Sequence, residues 1–419
     1  MTAIIGILNK RAAVIAADSA KTTICGDKTK IFNNATKIFN LTQHGSIGVM
    51  AFGSASFMRT PWEVIINLYQ SKRGGRKFDS VRGYAEDFFD FLRSSDFFIS
   101  KQEQMNNFIR EFSLYYNKVE NDVEGDIDTI QGKSSRGKAV NESLVNSFVD
   151  DSRNHIGTLA KVTGLTPDLK DYTEEEFNDY LKKVFEFIKA SSSEEYWPYG
   201  FVDDWQKKTW QHGFYNYLRS RLYFYKTGLV FVGYGERDIF PTLLPVYVSI
   251  GFDNKLRGYI DDDNKAYVHD DDSSYVCPFA QTDVMSTLIR GIAPDFQHQV
   301  NDAHQSAMQS LKNKIADLLK KRNVLDEIVE EVMDVSTEDI DQEHNDILQN
   351  YMETYGNNII DAVDSFSIED MANMAESFIS ITGLQRHFSS SEETVGGPID
   401  VAVITKAGGF KWIKCKNFV

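Results

Sequence analysis

The sequence predicts a layered α/β (α+β) fold in which strands from both ends of the chain belong to one sheet system. Short apolar runs with strand character occur before residue 55 and return after residue 228. Between them, apolar residues recur at helical spacing. An order of strands, helices and strands favours sheets whose faces are covered by helices. The length of 419 residues allows such a core to carry a large helical insertion.

The first two strands are predicted to form a hairpin. Thr2 to Leu8 and Ala12 to Ala17 are nearly continuous apolar runs, separated by Asn9-Lys10-Arg11. Because the runs do not alternate with polar residues, we expect their sheet to be covered on both faces. Two further strands are predicted at 37–41 and 47–53, with a turn between them.

Helical character begins near residue 54 and continues to about residue 221. Trp62, Ile65, Ile66 and Tyr69 fall at helical spacing, directly after a proline that an early helical turn tolerates. Residues 122–138 are polar and rich in glycine, so they are predicted to be a loop.

The second half alternates between strands and helices. Strands are predicted at 229–233 and 244–252, with shorter pieces to residue 276, and helices at 280–292 and 298–355. Another helix is predicted at 367–382, because Ser367-Ile-Glu-Asp-Met is a capping sequence. A closing strand pair follows around Gly408-Gly409.

Composition and charge exclude several classes of protein. The net charge of −16 disfavours binding to nucleic acid. Cys25, Cys277 and Cys415 lie far apart, which favours neither a disulfide framework nor a zinc site and suits a reducing compartment. No apolar run approaches the ~18 residues of a membrane span, and no export signal is recognised. A cytoplasmic protein without membrane partner, cofactor or metal is therefore expected.

Several segments together resemble the proteasome β-subunit family and its bacterial ATP-dependent relative. Met1-Thr2 precedes a strand, and Val14-Ile-Ala-Ala-Asp18-Ser19-Ala-Lys-Thr22 matches a strand-ending segment of that family, with Asp18 at the family's distance from Thr2. Thr36-Lys37-Ile38, Met50 to Ala55, 232–248 and 396–404 resemble further family segments. The resemblance covers a little under half of the chain.

The resemblance implies a four-layer αββα Ntn-hydrolase sandwich with a large helical insertion. The core would comprise residues 1–70 and 227–419, with a helical expansion at about 295–360, and the insertion would be residues 71–226. It also implies a homo-oligomer that acts on peptide or protein substrates. An ATP-dependent unfoldase partner follows by analogy only.

By the same resemblance, Thr2 is the catalytic nucleophile once Met1 is removed. A hydroxyl needs a base, and the α-amine of an amino-terminal threonine, with a pKa near ~7.7–8.0, supplies one. Lys37 would lower the proton affinity around Thr2, and Asp18 would orient Lys37. The backbone N–H groups of Phe52 and Gly53 would stabilise the oxyanion, and Phe52, Gly53 and Thr22 together would form the oxyanion- and substrate-binding site.

Some assignments stay open. Lys37 lies about three residues later than the family spacing from Asp18, and Lys30, also followed by isoleucine, is the competing lysine. Phe52 replaces a glycine of the family's turn. Supporting residues have no clear match, although Thr282 and Asp283, or Glu393 and Thr394, occupy roughly the right segments.

The leading function is therefore a threonine amidohydrolase, in particular a peptidase that works through an acyl-enzyme. The alternative is a catalytically inactive scaffold or assembly protein with the same fold, favoured by Phe52 and the missing supporting residues. A small-molecule amidase is the third hypothesis. Analysis of the mature amino terminus separates the first two, and a series of substrates of increasing size separates the first from the third.

Overall fold

Two contact-defined units, each with its own sheet, make up the part of the chain that the structure describes. The computed structural model describes residues 2–25, 28–43, 45–94, 100–134, 163–191, 208–223, 226–388 and 395–416. One unit comprises Met1–Ala35, Val268–Val403 and Trp412–Val419, and the other comprises Thr36–Tyr267 and Ile404–Lys411. All strand pairs with a described register are antiparallel. The fold is thus mixed α+β with antiparallel sheets.

Strands and helices are numbered here in chain order. The strands are β1 (Ala3–Asn9), β2 (Ala13–Ala17), β3 (Lys21–Cys25), β4 (Lys28–Phe32), β5 (Ile38–Asn40), β6 (Ile47–Gly53), β7 (Ser56–Phe57), β8 (Thr60–Pro61), β9 (Thr227–Gly233), β10 (Thr242–Phe252), β11 (Lys255–Ile260), β12 (Ala266–Tyr267), β13 (Ser274–Ala280), β14 (Asp400–Thr405) and β15 (Gly409–Lys414). The helices are α1 (Trp62–Arg73), α2 (Val81–Ser94), α3 (Lys101–Ser134), α4 (Glu174–Ser191), α5 (Lys208–Arg219), α6 (Asp283–Arg290), α7 (Pro294–Lys321), α8 (Asp326–Asp334), α9 (Glu338–Ser365) and α10 (Ile368–Phe388).

The sheet of the first unit has the strand order β13-β1-β2-β14-β15, so the two ends of the chain do share a sheet. The predicted hairpin is confirmed, since β1 and β2 pair with Ile4 opposite Ala17. All residues of both strands are buried. Continuous burial explains why these strands lack polar alternation.

Helices α9 and α10 help to cover this sheet. The apolar cluster joins β1 residues such as Ile5 and Ile7 to Met371, Ala375 and Ile379 of α10. The predicted cap of α10 is confirmed: the Asp370 N–H donates to Ser367 Oγ at 3.1 Å, and the Ser367 N–H donates to Asp370 Oδ2 at 3.1 Å. These reciprocal bonds satisfy amide groups that a helix start leaves without partners.

The second unit is built on the sheet β11-β10-β9-β6-β5, with β12 paired to β10. The strands predicted before and after residue 44 are confirmed as β5 and β6, with Ile38 opposite Met50. One face of this sheet packs against α1 and α2 through large aromatic side chains, including Trp62, Tyr69 and Phe88. This cluster places α1 where the helical spacing predicted it.

A separate apolar cluster joins α3, α4 and α5. Phe108 and Phe112 of α3 pack with Phe214 of α5, and the cluster reaches the end of β10 at Ile250 and Phe252. The described part of the segment 71–226 is therefore largely helical. The predicted division into a core and an inserted segment stays a prediction, because grouping by contacts does not show which segment is an insertion.

The loop predicted at 122–138 is wrong over most of its length, since α3 continues to Ser134. Val123, Ile127 and Ile130 keep helical spacing through this polar stretch. A glycine inside a helix costs only about 1 kcal/mol, so the widely spaced Gly125 and Gly132 do not end it. Residues 135–138 lie outside the described residues.

A buried ion pair fastens α3 to the sheet of its own unit. Arg257 of β11 and Glu111 of α3 have exposed fractions of 0% and 1%, and the Arg257 Nη1 donates to Glu111 Oε1 at 2.6 Å. Tyr217 also donates its hydroxyl to that oxygen at 2.6 Å. The Arg257 Nε donates to the Leu218 carbonyl, and its Nη2 donates to the carbonyls of Tyr217 and Leu222.

None of the helices within the described ranges combines the length and the apolar character that crossing a membrane requires.

We expect Glu111→Ala to lower the free energy of unfolding by about 3–5 kcal/mol, because it leaves the Arg257 charge buried without its partner. Chemical denaturation followed by circular dichroism measures this change. The matched control is Asp262→Ala, which removes the half-exposed pair with Arg82 in the same unit and should change stability by about 0–1 kcal/mol. Equal effects of the two variants would contradict the assignment of Arg257 as a structural anchor.

Candidate active site

The β1–β2 hairpin brings Thr2 and Asp18 to the same end of two neighbouring strands in the first sheet. Thr2 directly precedes β1 and Asp18 directly follows β2. The Asp18 N–H donates to the Ala3 carbonyl at 3.2 Å, and the Gln281 N–H donates to the Thr2 carbonyl at 3.1 Å. Thr2 is only 8% exposed. The backbone of Thr2 and Ala3 is thus held by the segments that follow β2 and β13.

The carboxylate of Asp18 is buried and accepts hydrogen bonds from three backbone N–H groups. Ala3 donates to Oδ1 at 2.9 Å, and Ala20 and Gly396 donate to Oδ2 at 3.0 Å and 3.2 Å. The residue is 1% exposed. Hydrogen bonds of this kind compensate the burial of a carboxyl group. The result is a fixed negative charge adjoining the residue that follows Thr2.

A second charged group, which sequence reasoning missed, holds the turn after Asp18. The Lys416 Nζ donates to Asp400 Oδ2 at 2.6 Å, to Ser19 Oγ at 2.9 Å and to the Ala35 carbonyl at 2.7 Å. The side chains of Lys416 and Asp400 are 6% and 3% exposed. The available signal was a carboxylate at the start of an apolar strand, which requires a partner when it is buried.

In the second unit, Lys37 and the end of β6 come together. The Ala51 N–H donates to the Lys37 carbonyl at 2.8 Å, so Lys37 continues the β5–β6 ladder toward Phe52 and Gly53. Lys37 is 6% exposed, whereas the competing Lys30 is exposed in β4. Burial of an ammonium group requires interactions that compensate its charge. Lys37 is therefore the better candidate of the two lysines for a functional role.

Two glycines fix the backbone beside Phe52. Gly53 has a φ of +84°, and a Cβ there would lie 2.2 Å from the Lys226 carbonyl oxygen. A Cβ on Gly228 would lie 2.1 Å from the Phe52 ring, so that ring lies across β9 at a residue without a side chain. The ring also makes an edge contact with Tyr247, at 6.2 Å between centroids.

The remaining predicted residues divide into three groups. Thr22 lies in β3 opposite Ile31, in a hairpin of its own with β4. Thr282 precedes α6, and the Asp283 carboxylate accepts a hydrogen bond from Arg386, whose Nε also donates to the Gln281 side chain at 3.1 Å. Met1, Glu393 and Thr394 lie outside the described residues.

A metal site of three or more His, Cys, Asp or Glu side chains is not found within the described ranges. The acidic turns at 261–263 and 270–272 are held by local hydrogen bonds. Asn264 donates to Asp261 at 2.8 Å, and His269 lies 3.1 Å from Asp272.

Comparisons with known proteins do not identify a family. No family model matches the chain, and no curated protein does. Among solved structures, it is similar to an Anbu (Gly-1) mutant from Hyphomicrobium sp. strain MC1, with 8% identity over 99% of this chain and 88% of that chain. The TM-score of 0.31 is too low to support any argument about fold or function.

The predicted membership of the proteasome β-subunit family is therefore wrong. The segments that suggested it are short and together cover less than half of the chain. Two of them also have a local explanation: Asp18 caps backbone N–H groups at a strand end, and Gly53 permits a left-handed backbone beside β9. Local requirements of this kind recur in unrelated sheets.

We expect Asp18→Asn to lower the free energy of unfolding by about 1.5–3 kcal/mol, because the amide NH₂ cannot accept from all three N–H groups and hydrogen bonds to charged groups are strong. Amide hydrogen exchange at Ala20 and Gly396 should become faster, which chemical denaturation alone would not reveal. The control is Asp364→Asn, at an exposed carboxylate of α9, which should leave both measurements nearly unchanged. Unchanged exchange in Asp18→Asn would refute the predicted role of this carboxylate.

Proposed function

We propose that this chain is a threonine amidohydrolase that cleaves peptides through an acyl-enzyme on Thr2, after removal of Met1. The observation that supports it most is the buried carboxylate of Asp18, held by three N–H groups beside the amino end of β1. Burial of a charge is unfavourable unless it is compensated. Through its bond to the Ala3 N–H, this carboxyl group holds the backbone directly after the proposed nucleophile.

In the proposed reaction, the Thr2 Oγ attacks the carbonyl carbon of the substrate amide. The α-amine of Thr2 accepts the hydroxyl proton and then delivers it to the leaving nitrogen as the C–N bond breaks. Water hydrolyses the resulting ester and regenerates the hydroxyl. An α-amine with a pKa near ~7.7–8.0 is partly neutral at physiological pH, so it can serve as the base.

Lys37, Phe52, Gly53 and Thr22 keep the roles that the sequence predicted for them. Lys37 would supply positive charge that lowers the proton affinity near Thr2, and the N–H groups of Phe52 and Gly53 would stabilise the developing oxyanion. Thr22 would contact the substrate. The proposal therefore includes the finer fold prediction, a four-layer αββα sandwich.

A cytoplasmic location belongs to the same proposal. Its support is that Cys277 and Cys415 are free thiols, as in proteins of reducing compartments. The homo-oligomer and the unfoldase partner were implied by the family resemblance. Because the family resemblance does not hold, the homo-oligomer and the unfoldase partner have no separate support and stay predictions.

A second candidate is a catalytically inactive scaffold, and the position of Phe52 favours it. The ring lies over Gly228 and against Tyr247, and this bulky side chain belongs to a residue whose backbone N–H is a proposed oxyanion donor. The two candidates differ in one observable property, which is the reactivity of the Thr2 hydroxyl.

We expect the purified protein to lack Met1 and to gain a single adduct with an electrophile selective for amino-terminal threonine, as measured by intact mass. Thr2→Ser should keep the adduct, because it retains the hydroxyl and the α-amine, and Thr2→Ala should abolish it. Lys37→Ala should slow adduct formation by at least tenfold. Lys30→Ala is the matched control for a lysine, and it should react at the unchanged rate.

Retention of Met1, residues preceding Thr2, or a free Thr2 without an adduct would refute the hydrolase and favour the scaffold. An adduct that survives in Thr2→Ala would refute the assignment of the nucleophile. When the adduct forms as expected, a series of peptides of increasing length distinguishes a peptidase from a small-molecule amidase, because only the amidase loses activity as the substrate grows.

A further inference from the structure

A small polar cavity lies in the second unit, beside the turn between β7 and β8. Its volume is about 80 Å³, several times the ~10–15 Å³ that one water molecule requires on the same measure. The lining residues come from the β6–β8 segment, α3, β10 and the start of β9: Ser54, Ser56, Met58, Arg59, Arg110, Lys226, Thr227 and Ser249.

Three of the lining residues are cations, and none is a carboxylate. Arg59 lies 2.9 Å from Glu103, in a pair whose arginine side chain is 77% exposed. Arg110 donates to the Asn107 side chain at 2.6 Å. The lining itself thus carries positive charge, on a chain whose net charge is −16. Such a local reversal of sign favours the binding of an anion.

Lys226 is the most informative of the three cations. Its Nζ lies 3.9 Å from the centroid of the Tyr247 ring, and within the described ranges no carboxylate lies at salt-bridge distance from it. Burial lowers the pKa of this lysine, and the more distant Asp261 charge opposes that shift. An anion in the cavity would compensate the partly buried ammonium, which would otherwise remain unfavourable.

The turn that carries Arg59 is held in an uncommon conformation. Met58 and Arg59 have φ values of +48° and +66° at the centre of a two-residue hairpin, where Asn and Gly are the usual residues. Met58 is 6% exposed, and its Sδ accepts a hydrogen bond from the Gly251 N–H at 3.4 Å. Packing of Met58 therefore maintains a backbone that costs free energy and fixes where the chain projects Arg59.

We propose that this cavity binds a phosphate group. Two guanidinium groups and one ammonium offer more N–H donors than the two oxygens of a carboxylate can accept, whereas a phosphate has enough oxygens and a matching double charge. The hydroxyls of Ser54 and Thr227 donate to the carbonyls of Ser56 and Ser54, so the cations supply the principal contacts. The proposal does not depend on the reactivity of Thr2.

Isothermal titration calorimetry with inorganic phosphate, at constant ionic strength, tests the site on the full chain. We expect saturable binding by the unmodified protein and at least tenfold weaker binding by Lys226→Met and by Arg110→Gln. Arg110 is exposed on α3, so its variant keeps the test valid if Lys226→Met does not fold. Arg237→Gln is the control, because Arg237 is an 82% exposed arginine of the same unit that does not line the cavity.

Titration with a phosphoserine peptide and with phosphoserine distinguishes the source of the group. Tighter binding of the peptide than of inorganic phosphate would assign the site to a phosphate carried by a larger molecule, and weaker binding would assign it to the free ion. No binding of any of these compounds, equal weakening in Arg237→Gln, or equal affinity for acetate and phosphate would each overturn the proposal.

Discussion

The buried carboxylate of Asp18 is the constraint on which the edge of the first sheet depends. Its oxygens accept from Ala3, Ala20 and Gly396, which lie in three separate parts of the sequence. Because a buried charge is tolerated only while its hydrogen bonds are made, all three segments must be in place together. Lys416 acts from the other side of the same turn, where it bonds Ser19 and Asp400. The position of Thr2 therefore follows from contacts made almost four hundred residues away.

Strands and caps could be predicted from the sequence because their causes are local. The apolar run of β1, the helical spacing of Trp62 and Tyr69, and the cap at Ser367 each depend on a few neighbouring residues. The pairs Arg257–Glu111 and Lys416–Asp400 could not be predicted, because nothing local indicates which charges burial will bring together. The prediction of a loop at 122–138 was wrong although its signal was local. The polar, glycine-containing composition indicated a loop, whereas the helical spacing of the apolar residues matched the observed helix.

The family assignment was wrong because the features that suggested it are also local. A carboxylate at a strand end and a glycine beside a neighbouring strand each meet a requirement of their own surroundings. The candidate residues nevertheless occupy defined environments, with Thr2, Asp18 and Lys37 all less than 10% exposed. Chemistry at these positions can therefore be argued from burial and hydrogen bonding, without reference to ancestry.

Arg257 is enclosed between two aromatic rings. Its Cζ lies 4.3 Å from the Tyr217 ring centroid and 4.4 Å from the Tyr223 ring centroid, and this enclosure affects how the surrounding segments can move. Detachment of α3 or of the segment after α5 from β11 would strand a guanidinium among aromatic rings. Partial opening of this layer therefore carries the cost of a buried charge without its partner, about 3–5 kcal/mol. We infer that these helices and β11 form one cooperative unit, in which small fluctuations are suppressed and amide protons are released together.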